Sequence, residues 1–147
     1  MRITTRGRYA LRASLALAKL GKDNDLVSIH SLSEAEQISS VFLEQIFFKL
    51  KKAGIVQSVR GPGGGFSFAR PLDSLTVKDI LYAAGEELEA GPCDKHFEEC
   101  QRATSCVSHK VWTTVSELVK NYLGSLTLAS LLENAEDEEV QVKHEAS

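Results

Sequence analysis

The chain has 147 residues, 43% of them hydrophobic, and a formal net charge of -3. This length supports one compact core and an additional arm, and leaves little for a second domain. Because no apolar run approaches the roughly 20 residues of a membrane span and no signal-peptide segment opens the chain, we expect a cytoplasmic protein with no membrane partner.

Charge is distributed unevenly along the sequence. Through Lys78 there are 12 Lys+Arg and 6 Asp+Glu, a balance of +6, and beyond it there are 5 and 14, a balance of -9. A basic front half is typical of a protein that binds a polyanion such as nucleic acid. The alternative is a solvated basic face, and charge alone does not separate the two.

The first predicted helix opens among basic residues. Thr5 suits its N-cap, and apolar side chains recur at i, i+4 and i+7 as Leu11, Leu15 and Ala18, with Ala10 and Leu17 beside them. Four arginines lie before or within the opening turns, where they can meet phosphates: Arg2, Arg6, Arg8 and Arg12. From these we take Arg2 and Arg8 as candidate DNA contacts, with a solvated basic end as the alternative.

Two further helices are predicted on either side of a short turn. Ser28 suits the cap of the second helix, and Ser39 and Ser40 suit the cap of the third, whose apolar stripe is Leu43, Ile46, Phe47 and Leu50. Helices joined in this way form a helix-turn-helix, in which the second helix enters the DNA major groove by its N-terminal end. The candidate DNA contacts on its outer face are Ser39, Ser40, Val41, Glu44, Gln45 and Lys49.

The chemistry of these residues indicates different roles. Phosphates repel Glu44, so we expect it to select bases by accepting a hydrogen bond from a cytosine amino group. Gln45 can pair with adenine, and Ser39 can donate to a phosphate or to a base edge. An ordinary exposed helix face is the alternative, and it would be preferred if no wing followed.

A glycine-rich hairpin follows the third helix. Gly54 ends that helix, and residues 55–59 and 66–69 alternate with a β-strand period around the loop sequence Arg-Gly-Pro-Gly-Gly-Gly at residues 60–65. The glycine run lacks the spacing of a nucleotide-binding loop. An arginine at the base of such a hairpin suits a wing that places a guanidinium in the minor groove, so Arg60 is a further candidate DNA contact.

All three cysteines lie in one polar stretch that ends in a histidine. Six residues separate Cys93 from Cys100, five separate Cys100 from Cys106, and two separate Cys106 from His109. Three thiolates and an imidazole make four metal ligands, and an odd cysteine count favours metal binding or redox sensing over disulfides. Spacing favours an iron-sulfur cluster over zinc, which remains the alternative because structural zinc also uses three cysteines and a histidine. His96 is a possible substitute ligand.

From Val107 the sequence predicts a long helix that is apolar over much of its circumference. One stripe contains Val111, Val115, Leu118 and Tyr122, with Trp112, Val119, Leu123 and Leu126 beside it. A helix this apolar usually packs against two neighbours, so we predict a symmetric homodimer with the helix at its centre. A helix folded onto its own core in a monomer is the alternative.

Together these elements predict a mainly α fold, a winged helix-turn-helix with a two-stranded wing and a long dimerisation helix. The predicted divisions are a DNA-binding domain at residues 1–85, a cluster-binding loop at 86–108, the dimerisation helix and a C-terminal helix at 109–133, and a disordered acidic tail at 134–147. No CxxC motif and no acid-base constellation is present, so an enzyme is not expected.

The pattern resembles the IscR-type winged-helix transcriptional regulators, a family that includes an iron-sulfur cluster regulator and the nitric oxide sensor NsrR. The resemblance is carried by residues 1–4, 7–10, 42–45 and 59–65 and by the three cysteines. It implies a homodimer that binds double-stranded operator DNA, including the operator of cluster-assembly genes. It also implies a 2Fe-2S cluster on Cys93, Cys100, Cys106 and His109, with a 4Fe-4S cluster or zinc as alternatives.

Four positions depart from the family pattern. The gap after Cys93 is one residue longer than in IscR-type members, and Gln37 replaces a glycine usual in the turn, which predicts a left-handed backbone there. Val41 stands where a base-reading serine is usual, which predicts altered operator preference. Arg8 lies where NsrR-like relatives offer an acidic ligand, which argues against that mode. Two other functions stay open: a zinc-containing DNA-binding or adaptor module, and a nitric oxide- or redox-responsive regulator.

Overall fold

A computed structural model describes residues 1–95, 100–102 and 104–146, with the side chains of 94, 95 and 138–146 outside that description. The helices are α1 (Thr5–Leu20), α2 (Ile29–Glu36), α3 (Ser40–Lys52), α4 (Val77–Ala83), α5 (Pro92–Lys95), α6 (Val107–Ser125) and α7 (Leu128–Ala146). Strands β1 (Val56–Val59) and β2 (Gly65–Phe68) lie between α3 and α4. Among the described residues, no helix is both long and apolar enough to span a bilayer.

The predicted helix-turn-helix is formed by α2 and α3. The Ser28 hydroxyl caps α2 by accepting from the Ser31 N–H at 3.1 Å, and the Ser39 hydroxyl caps α3 by accepting from the Phe42 N–H at 3.2 Å. Between the two caps, Gln37 has φ 54° and ψ 43°. The predicted left-handed turn is therefore confirmed, and it is made by a residue that carries a Cβ.

The predicted hairpin is also present. Strands β1 and β2 pair antiparallel in the register Val56 with Phe68 through Val59 with Gly65. On the edge of β2 that faces away from β1, Phe66 exchanges two backbone hydrogen bonds with Val27, at 2.9 and 2.8 Å. Because Val27 directly precedes α2, this bridge fixes the wing relative to the helix-turn-helix.

The main core lies where α1 packs against α2, α3 and α4. As predicted, Leu43, Ile46, Phe47 and Leu50 of α3 are fully buried. On α1 the predicted Ala10 and Leu17 are buried together with Ala13. The predicted Leu11, Leu15 and Ala18 are only half-buried. Small side chains permit the close approach of a helix that touches three neighbours, and periodicity alone does not indicate this.

The C-terminal helices are attached to α4 through backbone hydrogen bonds. The Val77 N–H donates to the Leu126 carbonyl at 2.9 Å, and the Leu128 N–H donates to the Leu75 carbonyl at 2.9 Å. Leu128 is fully buried in the main core. The end of α6 and the start of α7 are therefore fixed to the DNA-binding part of the molecule.

Residues 134–146, which belong to the predicted disordered tail, are helical in the structure. Helix α7 begins at Leu128 and continues through the acidic run to Ala146. Residues 128–146 contain neither glycine nor proline and are rich in Ala, Leu and Glu. Once Leu128 is anchored in the core, such residues propagate a helix at little expense, because nucleation is the unfavourable step.

Candidate DNA-binding face and cysteine segment

The outer face of α3 carries the predicted DNA contacts. Ser40, Val41, Glu44 and Gln45 are exposed, and Lys49 is half-buried. The Ser39 hydroxyl accepts one hydrogen bond as the α3 cap, which leaves its hydrogen and one lone pair for another group. Sequence reasoning did not single out Phe48, which is 68% exposed on this face although it is a large apolar residue.

Of the four predicted arginines, Arg6 lies next to α3. It borders a surface groove of about 500 Å³ together with Val41, Glu44, Gln45, Phe48 and Lys49. The guanidinium of Arg12 instead donates to the Glu36 carbonyl at 2.6 Å and lies 5.0 Å from the Tyr9 ring centre. Arg6 is therefore the arginine of α1 that lies beside α3, and the sequence analysis named it only as one of four clustered arginines.

Arg2 and Arg8, the two arginines predicted as DNA contacts, lie away from this groove. Arg8 belongs to α1 and Arg2 precedes it. Arg8 is exposed in the first turn and donates to the Thr5 hydroxyl at 3.2 Å. Arg2 lines a separate groove that also contains Glu87 and Glu89. The structure therefore does not bring Arg2 or Arg8 into the groove beside α3.

The wing lies on the same face as α3. Lys51 donates to the Ser58 hydroxyl at 2.7 Å, which ties the end of α3 to strand β1. A groove of about 770 Å³ runs between α3 and the hairpin and is lined by Phe48, Lys51 and the exposed Arg60, among others. Arg60 and the recognition helix can therefore contact one duplex together.

The cysteines lie on separate local elements. Cys93 is exposed within α5, Cys100 is exposed, and Cys106 is half-buried at the N-cap of α6; all three are free thiols. Within the described part of the chain, no three metal-ligating side chains lie close enough to hold one ion. His96, the substitute ligand, lies outside the described residues.

The chemistry of the described donors suits a soft metal group. A hydrogen bond with Ser108, whose oxygen lies 3.0 Å from the sulfur, lowers the pKa of the Cys106 thiol, and the backbone of His109 and the charge of Arg102 act in the same direction. His109 follows Cys106 by one helical turn, so both start from the same side of α6. A thiol with a lowered pKa, followed one helical turn later by a histidine, fits iron-sulfur or zinc ligation.

Residues 86–90, which we call the linking segment, connect α1 to α6 just before Cys93. The Glu86 carboxylate accepts from the Gly7 N–H at 3.0 Å, from the Thr4 N–H at 3.2 Å and from the Thr4 hydroxyl. At the other end, the Ala90 N–H donates to the Ser116 hydroxyl at 2.7 Å. Lys120 and Glu89 form an ion pair at 3.0 Å.

The linking segment also explains how α1 begins. Thr5 was predicted as the N-cap, but α1 starts at Thr5, and the cap position, Thr4, makes no side-chain cap within the helix. Glu86 instead accepts from the N–H of Thr4, at the cap position, and from the N–H of Gly7, in the first turn. A carboxylate at a helix N-terminus also meets the positive end of the helix dipole.

A helix-turn-helix, a wing on the same face and basic residues beside the exposed recognition helix together define a winged-helix DNA-binding protein. The sequence pattern of the Rrf2 family, described as an iron-dependent transcriptional regulator, matches residues 3–134. The chain therefore belongs to the Rrf2 family of transcriptional regulators, and it is a DNA-binding regulator and not an enzyme.

Individual relatives agree with this assignment. The HTH-type transcriptional regulator IscR of Erwinia tasmaniensis is 39% identical over 136 residues, which cover 92% of this chain and 81% of the relative. The solved structure of T. potens IscR has a TM-score of 0.75 at 31% identity and covers 94% of this chain and 90% of that one. CymR, the global cysteine regulator of B. subtilis, has a TM-score of 0.75 at 28% identity, with 91% and 98% covered. The predicted fold and the resemblance to IscR-type regulators are confirmed.

Proposed function

We propose that this chain acts as a homodimer whose choice of operator DNA depends on an iron-sulfur cluster held by Cys93, Cys100, Cys106 and His109. The 2Fe-2S form is the cluster proposed, and cluster-assembly genes are the proposed targets. The single observation that carries the sensing role is the linking segment, because it joins the N-terminus of α1 to α6 immediately before the first cysteine.

On the DNA side, α3 enters the major groove by its N-terminal end. Ser39, Ser40, Val41, Glu44 and Gln45 face the bases, and Arg60 on the wing reaches the minor groove. Lys49, and more peripherally Arg2 and Arg8, contact phosphates. The shared exposure of the α3 face and the wing supports this arrangement.

The donor set supports the cluster. Three free thiols and an imidazole match the soft ligation that iron-sulfur centres use, and the lowered pKa of Cys106 favours the thiolate that binds metal. When bound, the cluster supplies a redox-sensitive group with visible absorption. The residues of the chain supply the ligands and connect them to the DNA-binding face.

The homodimer is supported by the exposed face of α6. Val111, Val115, Leu118 and Tyr122 are 51%, 37%, 64% and 64% exposed. Their spacing of 4, 3 and 4 residues is that of a coiled-coil seam. A second copy of α6 covers this stripe and places two recognition helices on neighbouring half-sites, one helical turn of DNA apart.

Coupling runs through the linking segment. Glu86 holds the N-terminus of α1, and Arg6 and Lys49 converge beside the preceding residue, Gly85, where an added Cβ would lie 4.0 and 3.4 Å from their nitrogens. A change in the cysteine segment therefore reaches both the start of α1 and the recognition helix. Since half-site spacing constrains the dimer, a small displacement alters which operators fit.

The test combines spectroscopy with DNA binding under anaerobic conditions. We expect brown protein with thiolate-to-iron absorption, and operator affinities that change when iron is removed by a chelator. The triple variant with Cys93, Cys100 and Cys106 changed to Ala should remain folded and bind the same operators whether or not iron is supplied. Identical binding by the iron-loaded and iron-free wild-type protein would overturn the proposal, and a colourless protein containing zinc would favour the adaptor role.

His109 is tested separately. His109→Ala should lose or destabilise the visible absorption, whereas His30→Ala serves as the matched control because its side chain is 79% exposed on α2 and pairs with Glu34. An unchanged spectrum in His109→Ala would remove this residue from the ligand set.

A second candidate is thiol-based redox sensing without a cluster. All three cysteines are free, two of them are exposed, and CymR, a fold relative, is named as a global cysteine regulator. Under this alternative, iron-free protein would change its operator affinity after treatment with a disulfide-forming oxidant and recover with dithiothreitol. Unchanged affinity after oxidation would reject it.

A further inference from the structure

We propose that Val41 and Phe48 form an apolar pair that reads thymine 5-methyl groups in the major groove. This inference rests on the proposed docking of α3. It adds thymine as a base that α3 recognises, and it adds Phe48 to the predicted DNA contacts.

Both side chains are exposed, whereas Phe42 is half-buried and the other apolar residues of α3 are buried. Val41 is 67% and Phe48 is 68% exposed, whereas Leu43, Ile46, Phe47 and Leu50 are each 0% exposed. Seven residues separate the pair, so they lie on one side of the helix, two turns apart. Val41 and Phe48 line the same surface groove, so together they form an exposed apolar patch, and such patches mark interaction surfaces.

The surroundings identify the partner as nucleic acid. Phe48 separates the two grooves of this face, one bordered by Arg6 and the other by Lys51 and Arg60. An apolar pair with cations on both sides is complementary to a surface that presents apolar groups between rows of negative charge. In the major groove the phosphates form the rims, and the thymine methyl is the apolar group on the base edges.

The spacing sets the expected pattern of bases. Seven residues of α-helix rise about 10.5 Å, which in an inclined helix spans at most about three base-pair steps of roughly 3.4 Å along the duplex axis. Glu44 and Gln45 lie between the two apolar side chains and can accept from cytosine or pair with adenine. We therefore expect two thymines no more than about three steps apart in each half-site, with polar readout between them.

The test removes single methyl groups from the DNA. Operators are first selected from random duplexes with the wild-type protein, and each thymine is then replaced in turn by deoxyuridine, which lacks only the 5-methyl group. We expect affinity to fall about fourfold at each of two positions in the half-site, the effect of losing one buried methyl group. Val41→Ser should abolish the preference for thymine over deoxyuridine at one position, and Phe48→Ser at the other.

Matched measurements separate this inference from the proposed function. Lys49→Ala should weaken binding to thymine and deoxyuridine duplexes equally, since it removes a proposed phosphate contact. Absence of sequence-selected binding by the wild-type protein would overturn the docking of α3 itself. Selective binding with equal affinity for both duplexes at every position would overturn only the methyl readout. If Phe48→Ser weakened binding to both duplexes equally, Phe48 would contact the sugar and not the thymine methyl group. A circular dichroism melt confirms that each variant is folded.

Discussion

The Glu86 carboxylate occupies the space beside Gly7 that any side chain at that position would need. The Gly7 N–H donates to it at 3.0 Å, and a Cβ at Gly7 would lie 2.6 Å from Glu86 Cγ. The two residues are 79 positions apart in the chain. This contact caps α1 and fixes the linking segment to the DNA-binding domain.

Gly7→Ala should therefore destabilise the fold. The new methyl group displaces a buried carboxylate and breaks its hydrogen bonds to α1, and hydrogen bonds to a charged group contribute about 1.5–3 kcal/mol. We expect the free energy of unfolding, measured by urea denaturation, to fall by about that amount. Gly91→Ala is the control, because an added Cβ there meets nothing within 4 Å. Equal stability of both variants would contradict the contact.

Glu86 should also make stability depend on pH. Burial raises the pKa of Glu86, but hydrogen bonds from Thr4 and Gly7 and the charge of Arg6 outweigh it, so the pKa lies below its ordinary value. The stabilisation is present above the unfolded pKa of about 4.3 and is lost as the pH falls through the lower folded pKa. Urea denaturation between pH 6 and pH 3, as approximate limits for a carboxyl group, should show a smaller loss of stability in Glu86→Gln than in wild type. Parallel pH profiles of the variant and the wild type would contradict a stabilising role for the ionised Glu86 carboxylate.

Gln37→Gly should stabilise the protein. Gln37 adopts φ 54°, and its side chain donates to the Glu34 carbonyl at 2.8 Å. A left-handed backbone costs about 1–2 kcal/mol for a residue with a Cβ. The substitution removes this strain, and the loss of the hydrogen bond to Glu34 offsets part of the gain. We expect a gain of about 1 kcal/mol, or a rise in Tm of about 2–4 °C. A lower Tm would mean that the hydrogen bond outweighs the strain.

Arg60→Ala should weaken operator binding by about 1–3 kcal/mol, because the wing loses its guanidinium. Fluorescence anisotropy against salt concentration measures both the affinity and the number of phosphate contacts. Arg70→Ala is a suitable control, since Arg70 lies after the wing, donates to the Ser74 carbonyl at 3.0 Å and borders a groove away from α3. Comparable losses in both variants would indicate a general charge effect and not a wing contact.

Leu118→Glu should convert the proposed dimer to a monomer. Placing a carboxylate within an apolar seam on each of two chains should raise the dimer Kd by about 100-fold or more. Light scattering coupled to size exclusion measures this directly. Glu117→Lys also changes the charge of α6 but lies off the stripe, and it should leave the mass unchanged. A dimer that survives Leu118→Glu would exclude this face as the interface.

Much of the DNA-binding domain follows from the sequence by itself. The caps Ser28 and Ser39, the buried stripe of α3 and the hairpin at residues 56–68 depend on contacts within a few residues of chain, which periodicity and turn chemistry describe well. The family resemblance rested on the same segments. For these elements, local preference and the final fold agree.

Only the tertiary structure decided the features that join distant parts of the chain. It assigned the cap of α1 to Glu86, placed Arg6 and not Arg2 or Arg8 beside α3, and left Phe48 exposed between two grooves. It also extended α7 through the acidic run by anchoring Leu128 in the core. Each depends on which surfaces meet after folding, and the energy of those contacts is not encoded in the spacing of neighbouring residues.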